Sequence, residues 1–297
     1  MSIFSAVAPL LLATASTPSA ECTDIPGWEQ VIANPEVRWV VIGEIHGTNE
    51  IPAIFADAVR QAANSRPVVI ALELPSPDQH AIDAFINSDG GGAAKTDFLA
   101  AQMWNSPTKD GRSSEAMFRL FEVLREMKSK GRVRSVVAIA PSLFAGVTTM
   151  EEAEEIAARF NQADYEKDMA KLVEAAAQPG AIVLTLTGGV HASRARLAGL
   201  DFVGMAGHLP QEATLTFNIQ SNGGQSWTCE GQPMVCGPHV NMNVGGNQPR
   251  GLQFGVGNPA FSGVLHLGTT ITASPPQQNP AVPNAEGKAA ASNLPSD

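Results

Sequence analysis

Four side chains have types and surroundings that suit acid–base chemistry: Glu44, His46, Glu73 and His191. Glu44 and His46 stand two residues apart, so in extended chain they point to the same side. A carboxylate beside an imidazole orients the ring, raises its basicity or shares a metal with it. Gly43 and Gly47 flank the pair and let the backbone turn sharply and approach a ligand closely. Glu73 ends the apolar run Val68-Val69-Ile70-Ala71-Leu72. A carboxylate there is costly unless partnered, and burial would tune it for acid–base work or for ligation. His191 closes Gly188-Gly189-Val190-His191, which repeats the G-x-x-H arrangement of Gly43 to His46.

Each residue also has a plainer reading: a satisfied strand-end histidine, a buried structural carboxylate, a histidine opening a helix. Chemistry is favoured because all of them fall at strand ends, where α/β proteins build their sites. Asp110-Gly111-Arg112-Ser113-Ser114 forms a loop that could overhang such a site. Arg112 would clamp a substrate carboxylate, phosphate or oxyanion, with Asp110 as its partner, and Trp104 would wall the pocket. The competing readings are an ordinary loop with a helix cap and a core tryptophan. Ser113, Ser114 and Ser193 sit in no G-x-S-x-G elbow, and no phosphate-binding glycine loop follows the first strand. His80, His208, His239 and His266 fall on a surface helix or in the irregular C-terminal part.

The elements that must position these residues alternate. Apolar runs at 38–43, 67–74, 133–140 and 181–187 read as buried strands. Helical patterns fill 49–63, 76–87, 96–103, 114–130 and 149–177, and a further helix is expected from 192. Strands apolar on both faces, separated by helices, define an α/β fold. It has a mainly parallel central sheet flanked by helices on both faces. The α/β domain is expected over 24–220. Strands at 213–220 and 263–271 and a Gly/Asn/Pro-rich stretch make 221–272 a small irregular β-containing extension. Residues 273–297, rich in Pro, Ala, Asn and Ser, read as a disordered tail.

The 297 residues are 44% hydrophobic and 16% charged, with a formal net charge of −10. That composition supplies a core, and the acidic balance argues against nucleic acid as a partner. Residues 1–20 read as a signal peptide with an apolar run at 7–15, so a periplasmic or secreted location without stable membrane insertion is expected. Cys229 and Cys236 suit a local disulfide in an oxidising compartment, leaving Cys22 over.

Gly43-Glu44-Ile45-His46-Gly47-Thr48-Asn49-Glu50 resembles the G-E-x-x-H-G-T-x-E region of erythromycin-esterase-like proteins, one residue shorter between Glu and His. It is closer still to the G-E-x-H form of ChaN-like haem-uptake proteins. The paired G-x-x-H segments with an intervening strand Glu are similar to the Tiki/TraB group of metal-dependent proteases. The resemblance spans about residues 38–198. It implies a site built from Glu44, His46, Glu73 and His191, with His46 as general base or metal ligand. Glu44 and Glu73 would orient it or activate water, and His191 would be a second base, acid or ligand.

Two functions follow. In the first, the Glu/His centre, with or without a divalent metal held by His46, His191, Glu44 and Glu73, activates water on an ester, amide or peptide bond of a small-molecule or peptide substrate. In the second, His46 and His191 are axial ligands of a haem in an uptake protein. Haem ligation would be helped by a tyrosine, and the chain has only Tyr165, in a helix.

Overall fold

The apolar runs become parallel strands because each is hydrophobic on both sides and can be buried only between two layers of helix. A computed structural model describes residues 22–106, 109–142, 155–156, 158–231, 234–241 and 246–279. The expected signal peptide and the first part of the 149–177 helix lie almost wholly outside them.

The sheet strands are β1 (Trp39–Glu44), β2 (Val68–Pro75), β3 (Val133–Ala140), β4 (Ile182–Gly188), β5 (Thr214–Gln220), β8 (Gly251–Phe254) and β9 (Gly263–His266). They form one seven-stranded sheet in the order β3-β2-β4-β1-β5-β9-β8. All pairings are parallel except β8 with β9. Helices α1 (Trp28–Ala33), α2 (Glu50–Ala62), α3 (Gln79–Ile86), α4 (Gly92–Leu99), α5 (Gln102–Asn105) and α6 (Glu115–Ser129) pack on one face. There they meet Val40 and Ile42 of β1, Ile70 and Leu72 of β2, and Leu184 and Leu186 of β4. Helix α7 (Gln162–Ala175) covers the opposite face, against Val41, Val69, Ala71 and Val183. The strict alternation along each strand is the period-2 pattern expected of a sheet covered on both sides.

This topology sets the position of the site. The connections leaving β1 and β2 cross on the α2/α6 face, whereas those leaving β3 and β4 cross on the α7 face. Strand β4 lies between β1 and β2, so its carboxyl end is flanked by two strands whose exits diverge to the other side. That is a topological switch point, where open parallel sheets leave a crevice.

Three expectations need correction. The stretch after 220 carries β9 and β8, the edge strands of the central sheet, and within it 225–230 and 235–240 are regular paired strands rather than irregular chain. Its strands β6 (Gln225–Glu230) and β7 (Val235–Val240) pair antiparallel and are joined by the Cys229–Cys236 disulfide. The expected disordered tail does not begin at 273. Ser274 is fully buried, its N–H donates to the Gly47 carbonyl at 2.9 Å, and Glu115 N–H donates to the Pro275 carbonyl at 2.9 Å. Composition missed this strap because its order comes from backbone hydrogen bonds to distant loops, which any sequence can make. Finally, His191 opens no helix. Residues 189–192 are turns, and the Arg194 N–H is taken by the carbonyl of Ala260 instead of an intrahelical partner.

Candidate active site

Glu44 ends β1 and is buried, with its side chain on the edge of the crevice. Its Oε1 lies 3.0 Å from Nδ1 of His46, in the turn beyond the strand. That contact fixes the ring and leaves Nε2 pointing into the crevice. The end of β1 and the turn after β4 approach closely because Gly43 has no side chain. A Cβ there would lie 2.9 Å from the Cβ of Ala192 and 3.0 Å from Cα of Gly189. This approach brings the His46 and His191 turns together.

Glu73 occupies the centre. It continues the Val69/Ala71 face of β2, and the neighbouring β4 presents Thr187 beside it. Its Oε2 accepts from the Thr187 hydroxyl at 2.7 Å and from the Gly188 N–H at 2.6 Å, and its Oε1 accepts from Arg112 Nη1 at 2.8 Å. The two imidazoles flank it: His46 Nε2 is 3.6 Å from Oε2, and His191 Nε2 is 3.7 Å from Oε1. Gly188 borders the same space. A Cβ on it would stand 3.3 Å from both Glu73 Oε2 and His46 Nε2 and 3.5 Å from His191 Cδ2.

His191 has its own carboxylate, Glu166, which the sequence reading did not select. Glu166 is fully buried on α7, and both its oxygens reach His191 Nδ1, at 2.8 and 2.9 Å. Gln162 Nε2 and the Met205 N–H donate to it at 2.6 and 2.7 Å. A signal was present: Glu166, Met169, Ala170 and Val173 are the buried positions of α7, so the glutamate interrupts an apolar stripe at helical spacing. The two histidines are thus built alike, each with Nδ1 on a carboxylate and Nε2 toward Glu73.

Burial opposes charge on both imidazoles, on Glu73 and on Asp110, yet the neighbouring charges prevail. The His46 imidazole is disfavoured as a cation by burial, but Glu73 and Glu44 drive its pKa up to about 10. His191 is raised in the same way, against burial, by Glu166 and Glu73. Burial would raise Glu73, but His46, His191 and Arg112 hold it well below the usual carboxylate range. Asp110 is lowered, despite burial, by Arg112, whose Nε and Nη2 both donate to it. The loop residues Asp110 and Arg112 therefore do reach the cluster, where Arg112 ties Glu73 to Asp110. Trp104 does not: it is buried against Phe98, Phe118 and Phe121 in the aromatic core, where its large apolar surface is better satisfied than at a pocket wall. Tyr165 instead approaches, its ring 6.2 Å from that of His191 and its phenol pushed up to about 12 by burial and then by Glu73.

These residues do not fit a resident metal or an axially ligated haem. The Nδ1–carboxylate contacts leave both Nε2 atoms free, but the Glu73 oxygens that they face already accept three hydrogen bonds, one from a guanidinium. A cation placed there would compete with Arg112, and a haem iron between the imidazoles would meet the Glu73 carboxylate. Among the described residues no group of three or more His, Cys, Asp or Glu is arranged to hold a metal ion.

The hairpin and the strap brace the loops. The Gly47 carbonyl, one residue past His46, accepts from the Trp227 N–H at 2.8 Å and from the Ser274 N–H. The Trp227 indole donates to the Lys109 carbonyl at 3.0 Å. Gly47 and Gly111 have φ of 73° and 94°, and a Cβ on either would overlap backbone, so glycine is required at both.

The site and sheet define an α/β protein with a Glu/His centre at its switch point. No family model and no curated protein matches the chain. Solved structures share the fold. A Bacillus cereus protein matches with TM-score 0.58 at 11% identity, covering 83% of this chain and 91% of that one. An erythromycin esterase, EreC, in its open conformation matches with TM-score 0.56 at 12% identity, covering 84% and 93%. A succinoglycan biosynthesis protein matches with TM-score 0.55 at 10% identity, covering 84% and 91%.

Proposed function

We propose that this chain is a hydrolase of the erythromycin-esterase-like kind, cleaving an ester, amide or peptide bond with a pair of imidazoles and no resident metal. The observation that carries the reading is the doublet itself: two imidazoles, each oriented by a buried carboxylate at Nδ1, presenting Nε2 to one shared space around Glu73. With His46 held as the imidazolium by Glu73 and Glu44, His191 in its deprotonated form takes a proton from water through Nε2 as the water oxygen bonds to the carbonyl carbon. The protonated ring and Arg112 stabilise the oxyanion that forms. Collapse breaks the bond to the leaving oxygen or nitrogen, which takes the proton back from an imidazolium, giving an acid and an alcohol or amine. Glu73 holds the positive charges in place, and Glu44 and Glu166 fix the tautomers.

Export to a periplasmic or secreted location belongs to the same reading, supported by the apolar run at 7–15 and the disulfide in the hairpin. The test is a panel of esters, amides and peptides with chelator present. Turnover that persists in chelator and drops by about a hundredfold or more in both His46→Asn and His191→Asn supports the reading. Turnover abolished by chelator and restored by a divalent ion sinks it.

A further inference from the structure

At the opposite end of the sheet a second cavity opens, of about 380 Å³, lined by Ile32, Ala33, Pro35, Arg38, Arg66, Gly180 and Ala181. It lies under the amino ends of β1, β2 and β4, the same three strands that carry the active site at their other ends. Two arginines reach one cavity in a protein with only 19 basic residues against 29 acidic ones. Neither has an acidic partner among the described residues. Arg66 has Nε and Nη2 buried with no hydrogen-bond partner among the described residues. Arg38 lies over the Trp39 ring, 5.0 Å from its centroid, and forms no ion pair.

Burying guanidinium nitrogens without acceptors is costly, and an adjacent anion is the partner that removes the cost. Burial alone lowers the Arg66 pKa, and no carboxylate offsets it. The arginine fork matches a planar or tetrahedral oxyanion. Ile32, Ala33, Pro35 and Ala181 supply an apolar wall that such a group alone would not fill.

We propose that this cavity is a binding site for a small organic anion, its carboxylate or phosphate held by Arg38 and Arg66 and its hydrocarbon part laid on Ile32, Pro35 and Ala181. The site is separate from the Glu/His centre and does not depend on the hydrolytic reading.

The experiment is isothermal titration of the full chain with hexanoate and with inorganic phosphate, paired with thermal melts at constant ionic strength set by chloride. Hexanoate is expected to bind one per chain and raise Tm by several degrees at saturation. Phosphate is expected to bind more weakly, because it leaves the apolar wall uncovered. Arg66→Gln is expected to stay folded, with a Tm without anion no lower than that of the wild type, and to weaken hexanoate binding by about thirtyfold or more. Arg38→Gln should weaken it too, with Arg119→Gln, which bonds Asn49 beyond the carboxyl end of β1 and lines no part of this cavity, as the control. Phosphate binding as tightly as hexanoate would refute the apolar part of the site. No heat and no Tm shift beyond chloride, or equal binding by wild type and Arg66→Gln, would overturn the proposal.

Discussion

Replacing Glu166 by glutamine removes one charge from the centre and almost nothing else. The carboxylate accepts from Gln162, from the Met205 N–H and, with both oxygens, from His191. A glutamine amide keeps one oxygen toward Met205 and His191, and Gln162 can turn its own amide to meet the new NH₂. The loss is then the difference between charge-assisted and neutral hydrogen bonds on His191, about 1–1.5 kcal/mol. That amount falls on any step that makes His191 an imidazolium, so kcat/KM should drop by roughly five- to thirteenfold. The His191 pKa, now raised, should fall back toward or below its ordinary 6.5. Glu166→Ala is different in kind. It leaves three donors without their acceptor, the Met205 N–H among them buried, and costs about 3–5 kcal/mol, or roughly 6–20 °C in Tm. The decisive assay needs no substrate: proton NMR titration of the imidazoles, with the His191 resonance identified by its absence in His191→Asn. A His191 that titrates alike in the wild type and in folded Glu166→Gln would refute the argument that Glu166 holds its charge.

Other outcomes follow from the same geometry. Gly188→Ala places a methyl 3.3 Å from His46 Nε2 and Glu73 Oε2 without backbone strain, so turnover should fall at least about tenfold with stability within about 1 kcal/mol of wild type, as read by kinetics beside melts. The His46 pKa is raised from 6.5 to about 10, so its stabilisation is full below pH 6.5 and is lost as pH rises toward 10; that of Glu73, whose pKa is depressed, is present above its ordinary 4.5 and lost below it. Urea unfolding should therefore show a contribution from this pair that peaks between about pH 4.5 and 6.5 and disappears in His46→Asn; an identical pH profile in the variant would contradict it. Reducing Cys229–Cys236, or replacing both by serine, frees a hairpin closed over a sequence separation of 7, a loss of about 2.5 kcal/mol to that element. Because Trp227 of that hairpin holds Gly47, activity should fall with it, and Trp227→Ala should reproduce the loss in the oxidised protein.

The sequence by itself determined the layers of this molecule and most of its centre. Runs such as 39–42 and 68–72 are apolar at every position, and only a parallel strand between two helical layers buries both sides. Glu44, His46, Glu73 and His191 stood out because a charged or titratable residue at the end of such a run needs a partner, and glycines beside it release the backbone. What the sequence did not reveal depends on contacts between distant segments. Glu166 showed only as a break in the stripe of α7, and its target is 25 residues away. Trp104 was ambiguous because the same apolar ring suits a pocket wall and a core, and only the aromatic neighbours decide. The strap at 273–279 owes its order to groups on other loops, which leave no mark on its composition, whereas the β6–β7 pair was signalled only by its two cysteines. Strand order itself was undecided by local pattern. Only the insertion of β4 between β1 and β2 brings two histidines, from turns more than a hundred residues apart in the chain, to either side of one carboxylate.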